Sequence, residues 1–176
     1  PVTFDVFVHP RRDPGCVNEA HLFMRALTAD YQHALVMFDH EGCGREHQAA
    51  AEVARHLTGQ LESGGWPGRS HTVVLAPELE VWIWNPSPHV ADCLGWSTRQ
   101  PDLRTWLQQT GYLQAGEAKP AKPKAAMEAA LREVRRPRSS DIYANIARRS
   151  SLRGHTEPSF VSLLGMMQAW FPLDVG

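Results

Sequence analysis

Ala34-Leu35-Val36-Met37-Phe38-Asp39-His40-Glu41-Gly42-Cys43-Gly44 runs through five apolar residues and then turns abruptly polar. A short continuous apolar run of this kind reads as a strand covered on both faces, as in the interior of a parallel sheet. The carboxylates and glycines after it read as the turn at the strand's carboxyl end. In open parallel sheets that end delivers side chains to a ligand crevice. The stretch therefore predicts both an α/β class and a place where chemistry would sit.

Working outward, Val2-Thr3-Phe4-Asp5-Val6-Phe7-Val8 has apolar residues at the even positions and a further one at Phe7, which predicts an earlier strand ended by His9-Pro10. Residues 11–15 read as a polar turn, and Asn18 as the cap of a helix burying Leu22, Phe23, Ala26 and Leu27. Downstream, Ala49, Val53, Leu57 and Leu61 recur every four residues, a helix running from Arg45 to Leu61. The Gly64-Gly65-Trp66-Pro67-Gly68 cluster breaks it, and His71 to Leu75 reads as a third strand. Alternating strands and helices imply parallel pairing through right-handed crossovers. Glu78 to Trp84 is open to a strand or a helical turn, with the helical reading preferred, Pro101 and Gly111 bracket a helix, and the Lys-Pro repeats of residues 115–123 read as a loop outside the core. Helical patterns around Met127 to Val134, Ile142 to Ile146 and Phe160 to Trp170 close the chain. The expected organisation is an α/β core over residues 1–114 and a basic helical part over 115–176 packed on the same domain.

The chain has 176 residues, 43% hydrophobic and 21% charged, which suits a globular domain. A formal net charge of -1 excludes the global positive field of a non-specific polyanion binder. The charge is segregated, however. Residues 117–153 hold ten Lys or Arg against four acids, about +6, and the remainder carries about -7. No apolar run approaches the roughly 18 residues that cross a bilayer, and no signal-peptide pattern opens the chain, so no membrane partner and a cytoplasmic location are expected. Cys16, Cys43 and Cys93 are odd in number and widely spaced, as reduced thiols would be.

Asp39 and Glu41, separated by one residue on a glycine-containing turn, supply hard oxygen ligands suited to Mg2+ or Mn2+. An equally simple account has Asp39 capping the next helix and Glu41 solvated. Glu78 and Glu80 form a second acidic pair after the third strand; their other reading is a helix start favoured by the helix dipole. Four converging carboxylates would need a cation or arginines to neutralise them. His40, Cys43 and His47 make a partial zinc pattern without an obvious fourth ligand, and Cys43 with either histidine makes a nucleophile pair that nothing else supports. Among the cations, Arg11 and Arg12, with His9, lie where they would neutralise the acidic turn or hold phosphate. Arg135, Arg136, Arg138, Ser139 and Ser140 combine guanidinium forks, hydroxyls and a helix start, a phosphate-binding surface or else a solvated helix end.

The ALVMFDHEGCG stretch followed by Ala76-Pro77-Glu78-Leu79-Glu80-Val81-Trp82-Ile83-Trp84 resembles the Toprim pattern. With FDVFVHP at residues 4–10, Arg12-Asp13-Pro14-Gly15, Arg136-Pro137-Arg138-Ser139-Ser140, Pro158-Ser159-Phe160 and Trp170-Phe171-Pro172, nearly the whole chain is similar to the small Toprim-like proteins of methylation-associated bacterial defence systems. More distantly, Glu80-Val81-Trp82 and Ser159-Phe160 are similar to elements of a broad Toprim-like family of unknown function. The resemblance implies a Toprim-like, mainly parallel sheet flanked by helices, Mg2+-dependent phosphoryl chemistry, and a role in anti-phage defence with partner proteins. Toprim enzymes carry a glutamate after an earlier strand, so a strand and helix upstream of Pro1 are also expected. The leading expectation is a nuclease or nuclease subunit acting on nucleic acid. In it Asp39, Glu41 and Glu80 are catalytic, Glu78 joins them on Mg2+ (or Mn2+), and Arg11, Arg12 and the Arg135 to Ser140 stretch hold phosphate. The rival is a non-catalytic module that keeps the fold and docks on other proteins of the defence system.

Overall fold

The computed structural model describes residues 2–85, 87–150 and 154–172. It is mixed α/β, and the chain divides into two compact units, residues 1–76 with 161–176, and residues 77–160.

In the first unit, strands β1 (Ala34–Asp39) and β2 (Ser70–Leu75) pair in parallel, Ala34 opposite Ser70 and Asp39 opposite Leu75. Helix α1 (Arg12–Arg25) packs on β1 and α2 (Ala50–Ser63) on β2. The parallel pairing and the crossover helix agree with the sequence reading. The detail of β1 does not, because burial alternates along it instead of being continuous. Val53, Leu57 and Leu61, the expected stripe of α2, are fully buried with Val36, Phe38 and Trp66. Trp66, inside the glycine-rich breaker, has no exposed surface, and its indole N–H donates to the Met24 carbonyl at 3.0 Å. Arg69 stacks over that ring at 4.7 Å and donates to the Thr28, Tyr31, Gln32 and Gly65 carbonyls.

Two expectations in this unit are corrected. Helix α1 begins at Arg12, six residues before Asn18, which sits inside the helix and donates to the Pro14 carbonyl. Proline in a first helical turn is tolerated because its missing N–H would have no intrahelical partner, so Pro14 does not break the chain. Leu22 and Phe23, expected inside, are exposed, and the buried face of α1 is Gly15, Val17 and Ala20. Gly15 lies directly under the His9 ring, and a Cβ there would displace that side chain.

The second correction concerns residues 2–8, which form no strand. Their backbone makes no hydrogen bond to a described residue. Asp5 accepts a hydrogen bond from the Tyr31 hydroxyl at 2.6 Å, and Phe7 meets Phe23 and Tyr31 edge-on at 5.5 and 6.1 Å. The even positions face outward, with Phe4 77%, Val6 75% and Val8 82% exposed.

The second unit opens with a 3-10 turn at Leu79–Trp82, as the helical reading of this stretch expects. It continues through α3 (His89–Cys93), α4 (Leu103–Gln109), α5 (Pro123–Glu133) and α6 (Ser140–Arg149). Asp102, not Pro101, starts α4, its carboxylate accepting from the N–H groups of Arg104 and Thr105 at 3.0 and 3.1 Å. Residues 115–122 are irregular as expected, yet Pro120 and Pro123 are buried, Pro123 as the first residue of α5. The core gathers Trp84, Leu94, Trp96, Leu107, Met127 and Ile142. The last helix, α7, spans Pro158–Trp170.

Candidate functional site

Asp39 ends β1, and its turn is built on two left-handed glycines, Gly42 (φ 86) and Gly44 (φ 84), a conformation that side chains with a Cβ rarely adopt. Asp39 is half-buried and Glu41 exposed. The Asp39 N–H donates to the Asp13 carboxylate at 3.2 Å, so a third acid, which the sequence reading did not select, lies beside the strand end. Its only signal in the sequence was its place in the polar stretch after His9-Pro10.

Arg11 and His9 both turn to Glu19, the imidazole at 3.4 Å, and Arg12 is exposed at a strained φ of 52°. Cys43 is fully buried and takes the Arg45 N–H at 3.3 Å, while burial pushes its thiol up, away from the thiolate that a nucleophile or zinc ligand needs. The His40 ring is hydrogen-bonded to the Gln48 carbonyl at 3.0 Å, and His47 to the Gln48 side chain.

Glu78 and Glu80 belong to the second unit, and both are buried there. Each has a cation of that unit. Lys124 reaches Glu78 at 3.3 Å, and its pKa is raised: burial opposes the ammonium, but the Glu78 and Glu80 carboxylates outweigh it. Glu80, 1% exposed, takes Arg138 at 2.7 Å and the Tyr143 hydroxyl at 2.6 Å on the same oxygen. Arg138 also reaches Glu128 at 3.4 Å and lies over the Tyr143 ring. Burial first, and then the bond to Glu80, push the Tyr143 phenol well above its ordinary pKa.

That shift has a sign that can be checked. The folded state holds the phenolic proton more tightly than the unfolded chain, so the stabilisation is complete below the unfolded pKa of about 10 and is lost as pH rises past it. The difference in urea midpoint between wild type and Tyr143→Phe is expected to be constant from pH 7 to 9 and to narrow above pH 10. A gap unchanged to pH 11 would contradict the assignment.

The expected phosphate surface is divided. Arg136 donates to the Cys93 carbonyl at 2.7 Å and Arg138 is held by Glu80, whereas Arg135, at φ 55°, is exposed with Ser139 and Ser140 at the start of α6. Three of the fragments that carry the Toprim resemblance, those around Glu80, Arg138 and Ser159, meet inside the second unit. Glu80 of the PELEVWIW stretch bonds Arg138 of RPRSS, and Trp82 donates to Ser159 at 2.8 Å and packs edge-on against Phe160 at 5.2 Å. These two sets of contacts, both anchored on the 3-10 turn, have the chemistry of a structural clasp.

Tested for a divalent cation, the side chains do not supply a ready ligand set. Among the described residues no group of three or more His, Cys, Asp or Glu is arranged to hold a metal ion, and Glu78 and Glu80 already have cations. No helix among them is long and apolar enough to cross a membrane. No protein-family model matches the chain, and neither the curated proteins nor the solved structures contain a match.

Proposed function

We propose that this protein is a component of a bacterial anti-phage defence system and works there as a Toprim-like docking module, binding a partner protein of the system through residues 2–8. The observation that carries this reading is the exposure of Phe4, Val6 and Val8 on a segment outside any strand or helix, whose backbone makes no hydrogen bond to a described residue. An extended chain with free N–H and C=O groups and apolar side chains on every second residue is a template for an added β-strand, the backbone giving affinity and the side chains selectivity. The occupant is accordingly an apolar strand of the partner. Since the residues outside 117–153 carry about -7, basic residues are expected to flank that strand. The test is co-expression with the other proteins of the defence system, followed by size-exclusion chromatography. A complex with one of them that survives the column supports docking, and separate elution of all of them contradicts it.

A second reading, metal-dependent phosphodiester cleavage, is favoured by one observation, the position of Asp39 at the carboxyl end of two parallel strands with Asp13 beside it. It expects Mn2+-dependent cleavage of labelled DNA or RNA that is abolished in Asp39→Ala. The docking reading expects no cleavage that separates the two proteins.

A further inference from the structure

We propose that the groove between α1 and α2 is a binding site for a small phosphate-bearing molecule of about mononucleotide size. The groove has a volume of about 600 Å3 and lies wholly within the first unit. Pockets for small ligands typically span about 300–1,000 Å3.

Four of its lining side chains carry or can carry positive charge: His21 and Arg25 on α1, Arg55 and His56 on α2. Among the described residues no carboxylate lines it. His21 and Arg25 are one helical turn apart and so share a face of α1, while Gln60 follows His56 by one turn on α2. The Arg55 Nε donates to the Ala51 carbonyl at 3.4 Å, which orients the guanidinium plane and leaves its terminal nitrogens for a ligand. His21 lines the groove, and its Nδ1 atom is buried with no hydrogen-bond partner among the described residues. Guanidinium forks paired with imidazoles match the oxygens of a phosphate better than any neutral ligand would.

Two further observations limit the ligand to a small molecule. The first unit, residues 1–76 with 161–176, holds six arginines against ten Asp or Glu, a net of -4, so a nucleic-acid strand is less favoured there than a single phosphorylated molecule that meets the local cations. Gly59, in the middle of α2, lines the groove and is exposed, and a Cβ built there touches nothing within 4 Å, so a larger side chain at this position would extend into the groove.

The probe is ADP, titrated calorimetrically into the full chain, with Arg25→Gln/Arg55→Gln and Gly59→Leu as variants. Both arginines are exposed, the one hydrogen bond lost is the long one from Arg55 to the Ala51 carbonyl, and leucine favours a helix more than glycine does, so both variants are expected to fold. ADP is expected to bind, with affinity at least about ten-fold weaker in the double arginine variant and lost in Gly59→Leu, whose melting temperature does not fall. The proposal is overturned if neither ADP nor inorganic pyrophosphate binds at millimolar concentration, or if the variants bind ADP as wild type does. An arginine-dependent affinity for single-stranded oligonucleotide that exceeds that for ADP would overturn the small-molecule assignment.

Discussion

Replacing Arg138 by Met is expected to cost about 3 kcal/mol of stability, whereas Glu80→Gln costs about 1 kcal/mol, both read as shifts of the urea midpoint. The asymmetry follows from where the two charges sit. Glu80 is 1% exposed and cannot reach water if its partner is lost, while the Arg138 side chain is 42% exposed and can turn to solvent. Losing the cation thus leaves a buried carboxylate with the Tyr143 hydroxyl as its hydrogen-bond donor and Lys124 as a nearby charge, and losing the anion strands nothing. The partial exposure of Arg138 screens the pair, which keeps the expected cost at the lower end of the range for broken buried ion pairs. A Glu80 held ready for a metal predicts the opposite ranking: in metal-free buffer Glu80→Gln would relieve repulsion and raise stability. That ranking would overturn the clasp described above.

The second large effect is on association. Phe4→Asp/Val6→Asp/Val8→Asp is expected to weaken the partner complex by at least about a hundred-fold while moving the melting temperature of the free protein by less than about 2 °C. Each of these side chains contributes about 1.5–3 kcal/mol when fully buried, and a hundred-fold change in affinity is only about 2.8 kcal/mol. Because all three are 75% exposed or more in the free chain, the fold itself draws little from them. Equal complex formation by the triple variant would remove residues 2–8 from the interface. A large drop in its melting temperature would mean that these side chains are packed within the protein.

How far the sequence was legible depends on the range of each interaction. The run from Ala34 to Phe38 and the four-residue repeat of Val53, Leu57 and Leu61 are local patterns, and β1 and the body of α2 formed where they predicted, although α2 starts at Ala50 rather than Arg45. Residues 2–8 show the limit of such a pattern, because alternation fixes which side chains share a face and says nothing about whether a neighbouring strand is present. Pro14 misled for a different reason: the same residue ends a helix from within and is accommodated in its first turn. Trp66 was hidden by its glycine neighbours, although a large indole with a buried carbonyl partner outweighs a breaker signal. At the candidate site, Asp39, Glu41, Glu78 and Glu80 could be named from their types and spacing. Their partners could not be, since Arg138 lies 58 residues from Glu80 and Asp13 26 residues from Asp39. A carboxylate awaiting a metal and one clasped by arginine have the same local sequence.

The docking account stands on the backbone of residues 2–8, so hydrogen exchange there tests it most directly. In the free protein these amides are expected to exchange at nearly the rate of an unstructured peptide. In the complex with the defence-system partner, about every second amide should be protected at least a hundred-fold, since one edge of the segment pairs with the added strand. Unchanged exchange across residues 2–8 in a complex that demonstrably forms would contradict it.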